Sequence, residues 1–334
     1  MRIFVVEYIT GGGLLKDELA SELLTEGETM VKALLEDLAV MPGVRVLLSR
    51  DPRLSRPPLS IDIFTPRQVD DIWQEWCHCM ERCDAVWPIM PETGGLLERI
   101  SRLALEVGCK LIGSRPEAVR IGSSKLQTSW CLGRHGIDVV PTCTPANLVP
   151  DRAPRWVAKP DDGVGCEGIR ILDKPEQLAA IMDPDSCQDY VLQPYIEGTP
   201  ASLSMLCHEG EACLLSVNLQ QVVEVNGRFH VHGILVNGVK QIDRHAELAR
   251  SIAHAIPDLW GYVGVDLICT ENGPVVLEVN PRLSVSYAGL HRALGLNPAR
   301  LVLRLLNEGP AVLTDRQLEQ GGSMTLNLEL PYAV

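Results

Sequence analysis

The chain has 334 residues, 46% of them hydrophobic, and a formal net charge of −13. This length allows a large buried core divided over two or three lobes. The acidic balance and the lack of a lysine and arginine block argue against nucleic acid, although local basic groups can still bind a small anion. No apolar run approaches the ~20 residues that cross a bilayer, and residues 1–13 do not resemble a signal peptide. We therefore expect a cytoplasmic protein without a membrane partner.

Eleven cysteines in a chain of this length, without a secretory signal, indicate reduced thiols rather than a disulfide framework. The one cluster comprises Cys77, Cys79 and Cys83, with His78 between the first two. A structural zinc site would need a second ligand pair at finger-like spacing, so buried or helix-face thiols are favoured over metal binding.

The first 112 residues alternate strand and helix patterns, which predicts a parallel sheet with helices on its faces, a Rossmann-like lobe. Gly11, Gly12 and Gly13 follow the first strand but lack the G-x-G-x-x-G spacing, which favours a tight turn or substrate loop over a dinucleotide site. The predicted strands are 2–8, 44–49, 84–89 and 109–113, and the predicted helices are 26–39 and 94–108.

Residues 114–135 predict two short helices that break near Gly122 and Ser123, and prolines then lead into a separate, hinged αβ region. The third region returns to strands from Ala212 onward. The predicted fold is thus α/β and α+β, with a Rossmann-like lobe over 1–112, a small lobe with linker helices over 113–200 and a large lobe over 201–334. Helices are predicted in the large lobe at 244–256, 287–294 and 298–307.

Residues 263–282 are typical of a β-hairpin with an acidic face. Pairing the strands about a turn at 271–273 sets Thr270 against Pro274, and therefore Asp266 against Glu278. The opposite face is apolar and is predicted to comprise Val263, Val265, Leu267, Val275, Leu277 and Val279.

Strand alternation puts Asn280 on the same face as Asp266 and Glu278. Two carboxylates that face each other on paired strands repel, and a divalent cation between them relieves the repulsion. Oxygen ligands from Asp, Glu and Asn suit Mg²⁺ or Mn²⁺. The hairpin therefore predicts a metal site.

Lys159 ends a strand-like segment and precedes a loop that contains Gly163, Gly165 and Gly168. Such a loop lets backbone approach phosphate closely and can close over a nucleotide as a lid. It is not a Walker loop, because no Gly-Lys-Ser/Thr follows. The segment 193–198 comes next, a strand that leads into a turn whose backbone could read an adenine edge.

The order of these pieces resembles the ATP-grasp superfamily, in which two α+β lobes clasp ATP and metal ions. The similarity covers about residues 114–300, and a Rossmann-like lobe usually precedes that core. The elements that carry it are Lys125, Lys159, the loop 161–168, the segment 193–198, Asp266 and the motif Glu278-Val-Asn280-Pro-Arg282.

This resemblance implies the site residues and the cofactors, namely ATP with two Mg²⁺ or Mn²⁺ ions. It implies that Lys125 and Lys159 contact ATP phosphates, and that Arg282 steadies the phosphate of the acceptor. Adenine is expected against Gln193 and the backbone of Tyr195 and Ile196, and the metals are expected on Asp266, Glu278 and Asn280.

One departure concerns the ribose. Many members carry an acidic ribose ligand shortly after the glycine of the adenine segment, whereas here Thr199, Pro200 and Ala201 follow Gly198. Glu197 is the nearby acid that could substitute for it.

The implied reaction joins a small-molecule carboxylate to an amine, with release of ADP and phosphate. A carboxylate needs no deprotonation at neutral pH to attack the γ-phosphoryl group, and the acyl phosphate formed must be kept from water, which closure of the lid would do. Many relatives are dimers, so a homodimer is one expected arrangement.

Segments outside the shared core resemble the tyramine–L-glutamate ligases of methanofuran biosynthesis and their bacterial relatives. The resemblance implies joining of glutamate to tyramine or a tyrosine-like amine in one-carbon metabolism. The alternatives are a ligase for another amino-acid pair, such as a D-alanine–D-alanine-like enzyme, and a non-catalytic nucleotide-binding regulator, which only Pro200 favours. The segments are 4–13, 23–38, 84–100, 113–128 and 278–295.

Substrate contacts are also expected near the strand ends of the first lobe and just after Arg282. Glu7, Tyr8, Glu92 and Thr93 lie at such positions in the first lobe, where the alternative for Glu7 and Tyr8 is that they only close the first strand. Ser284, Ser286 and Tyr287 follow Arg282 directly, and the alternative for them is helix capping.

Overall fold

A computed structural model describes residues 1–67, 71–148, 153–166, 168–181, 189–225, 227–239, 243–314 and 321–328. The described strands form three sheets of five, three and six strands. We call the parts of the chain that carry them, in chain order, the N-lobe, the small lobe and the large lobe. The mixed α/β fold predicted from the sequence is confirmed, while the division at 112/113 and 200/201 stays a prediction.

The N-lobe sheet is parallel and has the order β3-β2-β1-β4-β5, with helices against it. Its inner strands are buried on both faces, as parallel strands between helices require. The elements are β1 (Arg2–Glu7), α1 (Ser21–Ala39), β2 (Arg45–Ser49), β3 (Asp62–Phe64), α2 (Ile72–Glu81), β4 (Ala85–Ile89), α3 (Leu96–Glu106) and β5 (Lys110–Leu111).

Two of these elements, β3 and α2, were not among the predicted ones. Helix α2 buries apolar side chains at helical spacing, and the Asp71 side chain caps it by accepting the Trp73 N–H. It also carries Cys77 and Cys79, and burial raises the pKa of Cys79 to about 12. Every described cysteine is free, as predicted.

The three consecutive glycines after β1 form a tight turn. The Gly11 N–H donates to the Glu7 carbonyl oxygen and the Gly13 N–H to that of Tyr8. A Cβ on Gly11 would lie 2.3 Å from the Glu7 carbonyl oxygen, so only glycine fits there.

The linker contains the two predicted short helices, which break after Gly122. The small lobe is a three-stranded antiparallel sheet of order β7-β6-β8 with one helix. Its core is separate from the other cores, and the predicted hinge stays a prediction. The elements are α4 (Pro116–Gly122), α5 (Lys125–Arg134), β6 (Trp156–Pro160), β7 (Arg170–Leu172), α6 (Pro175–Ile181) and β8 (Tyr190–Pro194).

The large lobe is an antiparallel sheet of order β13-β12-β9-β10-β11-β14. Helix α7 packs on one face, and α8 and α9 cover the other together with α1. The elements are β9 (Thr199–His208), β10 (Glu211–Val225), β11 (Arg228–Val236), α7 (Asp243–Ala255), β12 (Gly261–Thr270), β13 (Gly273–Asn280), α8 (Tyr287–Leu294), α9 (Pro298–Glu308) and β14 (Met324–Asn327). Within the described part of the chain, no helix combines the length and apolar character needed to cross a bilayer.

One hydrophobic core is shared by the N-lobe and the large lobe. A polar cluster joins them within it. The buried carboxylate of Asp37 on α1 accepts the Tyr287 hydroxyl at 2.7 Å and lies 2.5 Å from His291 Nδ1, both on α8. Tyr287 and His291 therefore dock helix α8 onto the N-lobe.

Loss of the Tyr287 hydroxyl should weaken this interface. We expect Tyr287→Phe to lower the free energy of unfolding by about 1–3 kcal/mol, because it leaves one oxygen of a buried carboxylate without its donor. Urea unfolding followed by circular dichroism measures the loss. Tyr190→Phe is the matched control, since its hydroxyl bond to the Gly168 carbonyl is exposed. Equal losses in the two variants would contradict the role assigned to Tyr287.

Candidate functional site

The hairpin of β12 and β13 brings Asp266 opposite Glu278, as predicted, but its turn is shorter than the predicted one. The turn has two residues, so Thr270 pairs with Gly273 rather than with Pro274. A β-bulge beside Asp266 then takes up the extra residue and restores the predicted pairing.

The bulge also changes the apolar face of the hairpin. Val276 and Val279 are the buried valines of β13, whereas Val275 and Leu277 are only half-buried. Val275 therefore does not share the apolar face with Val279 as predicted, because the shift in register exchanges the two faces on the turn side of the bulge, and Leu277 is the extra residue of the bulge.

The two facing carboxylates have opposite pKa shifts. Burial and the neighbouring Glu278 raise the pKa of Asp266 to about 7, although Asn280 and Gln220 stabilise its ionised form. Burial also acts to raise the pKa of Glu278, but the charges of Lys125 and Lys159 outweigh it, and the pKa is lowered. Glu278 is thus the anion of the pair, and Asp266 titrates near neutrality.

Two amides hold Asp266. Asn280 Nδ2 donates to Asp266 Oδ2 at 2.8 Å, and Gln220 Nε2 donates to Asp266 Oδ1 at 2.7 Å. Gln220 lies on β10, and the sequence prediction missed it. Strand geometry puts Gln220 on one face of the sheet, but no local pattern in the sequence pairs it with Asp266, 46 positions away.

The two predicted phosphate lysines converge on Glu278. Lys125 is in the first turn of α5, and its Nζ lies 3.3 Å from Glu278 Oε2 and 2.7 Å from the Gly163 carbonyl oxygen. Lys159 lies near the end of β6 and is 6% exposed. Burial lowers the pKa of Lys159, although the negative charge of Glu278 acts to raise it. We call the space bounded by Lys125, Lys159, Asp266 and Glu278 the cleft.

The glycine-rich loop 161–168, apart from Glu167, which lies outside the described residues, is folded against the cleft. Gly165 and Gly168 adopt positive φ angles of 61° and 71°, the region that favours glycine. A Cβ on Gly168 would lie 2.9 Å from Pro160 Cγ. Cys166, between Gly165 and Gly168, was not among the predicted site residues. The charges of Lys159, Glu278 and Asp266 act on its thiol.

Two aspartates fasten this loop. Asp161 Oδ1 accepts the Leu126 N–H in the first turn of α5, a favourable place for a carboxylate. Asp162 Oδ2 accepts the Gly94 N–H at 2.9 Å, and its carbonyl oxygen accepts the Thr93 hydroxyl at 2.8 Å. The loop therefore bridges the small lobe, the linker and the N-lobe.

The predicted adenine segment lies at the end of β8. Gln193 is buried and donates to the Thr142 hydroxyl at 2.9 Å. The Tyr195 N–H donates to the Arg155 carbonyl, so an adenine edge at Tyr195 would have to use the carbonyl oxygen of that residue. The Tyr195 ring stacks on Phe229, and Ile196 next to it is half-buried.

The residues at the predicted ribose position lie partly in a strand and partly in the loop before it. Pro200 lies within strand β9, where it pairs with Ile268, and Glu197 is exposed in the loop before that strand. The part of Glu197 in ribose binding stays a prediction.

Arg282 is held by the N-lobe. Its Nε donates to Glu92 Oε2 at 3.0 Å, its Nη2 forms an ion pair with the same oxygen at 2.9 Å, and its Nη1 donates to the Leu283 carbonyl oxygen. Burial acts to lower the pKa of Arg282, but Glu92 outweighs it and raises the pKa.

The residues after Arg282 mostly face inward. Tyr287 contacts Asp37, and Ser286 is buried beside Tyr262 and Ser204, so these two side chains fill the shared core. That some of the residues after Arg282 face the acceptor stays a prediction. Ser284 is half-buried and bonds the Tyr262 hydroxyl at 2.9 Å.

No group of three or more His, Cys, Asp and Glu side chains within the described ranges is placed to hold a metal ion. Cys77, Cys79 and Cys83 therefore form no such centre. The set at the hairpin has two acids and one amide, and its predicted metal role stays a prediction.

The chain matches the family model of the ATP-grasp domain over residues 122–286 and that of a pre-ATP-grasp domain over 44–119. It is 25% identical to tyramine–L-glutamate ligase of Methanocaldococcus jannaschii over 271 residues, which are 80% of this chain and 79% of that protein.

Two solved structures have a fold similar to that of this chain. A putative ATP-grasp superfamily protein from Archaeoglobus fulgidus matches with a TM-score of 0.70 and 24% identity over 91% of this chain and 88% of its own. The biotin carboxylase domain of Hydrogenobacter thermophilus 2-oxoglutarate carboxylase, solved with MgADP and bicarbonate, matches with a TM-score of 0.68 and 15% identity, over 92% and 69%.

Asp266 should make stability depend on pH. An acid whose pKa is raised on folding holds its proton more tightly in the folded state, so stability is lost as pH rises from 3.8 to about 7. Without metal, we expect Asp266→Asn to raise the melting temperature by roughly 2–6 °C at pH 8 and to give no gain at pH 4. Differential scanning calorimetry in a chelator measures this, with the exposed Asp189→Asn as control. A gain that is the same at both pH values would contradict the assignment.

Proposed function

Because the chain belongs to the ATP-grasp superfamily, we propose that it is an ADP-forming ligase that joins a carboxylate to an amine through an acyl phosphate. One observation carries the proposal: Lys125, Lys159 and Glu278 meet beside Asp266 under a glycine-rich loop. Positive groups that converge under a closable loop are what phosphoryl transfer requires of a protein.

The donor set at the hairpin fits Mg²⁺ or Mn²⁺. The side chains of Asp266, Glu278 and Asn280 each carry an oxygen that can bind a metal ion. Burial and the neighbouring Glu278 raise the pKa of Asp266, and a cation would favour its ionised form. When bound there, such ions would neutralise phosphate charge.

The side chains of the cleft can then act on ATP. Lys125 and Lys159 balance the charge of the phosphates, and adenine lies along Tyr195 and Ile196. The substrate carboxylate attacks the γ-phosphorus, an O–P bond forms and the bond to the bridging oxygen of ADP breaks. The loop 161–168 excludes water while the acyl phosphate exists.

The second step forms the amide. The neutral amine attacks the acyl carbon, an N–C bond forms and the C–O bond to phosphate breaks. The nitrogen then loses a proton to solvent or to phosphate. Arg282 steadies the phosphate group while the amine attacks, and Glu92 holds Arg282 in place.

The substrates we propose are glutamate and tyramine or a tyrosine-like amine, in the synthesis of methanofuran or an analogue. The support is the similarity to tyramine–L-glutamate ligase, which extends over most of both chains. The specific segments outside the shared core add to it.

An ADP-release assay over a matrix of carboxylates and amines tests the proposal. We expect ADP only when glutamate and tyramine or tyrosine are both present with ATP and Mg²⁺. Glu278→Gln is the control for background, and it should abolish turnover while the melting temperature shows an intact fold. ADP from another pair alone, such as two D-alanines, would refute the substrates but keep the chemistry. ADP from no pair would refute the ligase.

Lys159→Ala tests the phosphate site separately. We expect at least a tenfold rise in the KM for ATP or a similar fall in kcat, because a buried charge against phosphate is lost. The exposed Lys174→Ala in the same lobe is the matched control and should match the wild type. Unchanged constants for Lys159→Ala would remove this lysine from the site.

A further inference from the structure

We propose that Glu92 binds the ammonium group of the amine substrate, so that one carboxylate both holds Arg282 and selects the incoming amine. This rests on the proposed ligase function and names the residue that recognises its second substrate. Glu92 is in the N-lobe, just after β4, and outside the residues that bind ATP in the proposal above.

The first observation is an oxygen atom without a partner. Glu92 is 3% exposed, and its Oε2 accepts a hydrogen bond from Arg282 Nε and forms an ion pair with Arg282 Nη2. Its Oε1 is buried and accepts no hydrogen bond from the residues that the structure describes. A buried carboxylate oxygen left without a donor is costly, and native proteins almost always satisfy such atoms. The atom therefore calls for a donor that arrives with a ligand.

The second observation is the position of this oxygen relative to the cleft. Thr93 and Gly94, the next two residues, bind Asp162 of the glycine-rich loop. Arg282, the partner of Glu92, follows Asn280 by two residues. Glu92 is thus linked through its neighbours to the glycine-rich loop and through Arg282 to the strand that carries the acids, which puts it beside the place where the proposed amine would enter.

The third observation is the balance of charge. Glu92, Glu26 and Glu278 all act electrostatically on Arg282, so several carboxylates surround one guanidinium group. Glu26 belongs to the same side of the cleft, since a Cβ on Gly165 would lie 3.9 Å from its Oε2. A region lined by carboxylates favours a cationic ligand.

An alkyl ammonium group fits these three observations together. It is positively charged at neutral pH, because the pKa of an alkyl amine is about 10, and it offers three N–H donors. One of these donors satisfies Glu92 Oε1. A charge-assisted bond of this kind places the nitrogen near the acyl carbon before it loses its proton.

Hydroxylamine separates amine binding from the earlier step. It is uncharged at neutral pH and captures acyl phosphates as hydroxamates without needing a carboxylate to bind it. The assay gives wild type and Glu92→Gln either tyramine or hydroxylamine, with ATP, Mg²⁺ and L-glutamate. We expect Glu92→Gln to raise the KM for tyramine at least about tenfold and to lower amide formation far more than hydroxamate formation, since hydroxamate formation loses only what the weaker hold on Arg282 costs.

Two further variants sharpen the result. Glu92→Asp keeps the charge and should retain more amide formation than Glu92→Gln, which also covers a failure of the latter to fold. Glu106→Gln removes an exposed charge at the end of α3 and should match the wild type.

The outcomes are distinct. Equal loss of amide and hydroxamate in Glu92→Gln would show that Glu92 only positions Arg282, which overturns the proposal, as does an unchanged KM for tyramine. Wild type that forms neither product would instead refute the ligase function with these substrates.

Discussion

The opposition of Asp266 and Glu278 across one strand pair is the constraint on which the rest of the site depends. Two half-buried acids that pair across neighbouring strands are stable together only if one of them keeps its proton or if positive charge lies beside them. Lys125 and Lys159 supply that charge to Glu278, and Gln220 and Asn280 hold Asp266. A linker helix, the small-lobe sheet and the large-lobe sheet must therefore meet at one point.

The same requirement explains how the lobes are connected. Asp161 and Asp162 tie the glycine-rich loop to the linker helix and to the N-lobe. Glu92 ties Arg282 of the large lobe to the N-lobe. The N-lobe thus touches both the loop and the arginine.

Below the cleft, a buried polar cluster supports the segment after Arg282. The Tyr262 hydroxyl contacts Ser204, Ser284 and Ser286, at 2.9 to 3.2 Å. Satisfied polar groups of this kind restrict a chain to one conformation. Together with the bond between Tyr287 and Asp37, they hold α8 against the N-lobe and keep Arg282 within reach of Glu92.

The sequence alone determined those features that depend on local geometry. Strand alternation placed Asp266, Glu278 and Asn280 on one face, and the break between the two linker helices follows from the residues at Gly122 and Ser123. The exact turn was missed, because a two-residue turn with a bulge gives the same pairing of acids as the longer turn that we predicted.

Only the tertiary structure decided which distant groups meet. Glu92 and Arg282 are 190 residues apart, and Asp37 and Tyr287 are 250 apart. Neither contact produces a periodic pattern in the sequence, because each contact depends on how whole lobes pack and not on the conformation of one segment. The packing of the lobes also explains why the Tyr287 side chain points into the core, where its hydroxyl binds Asp37.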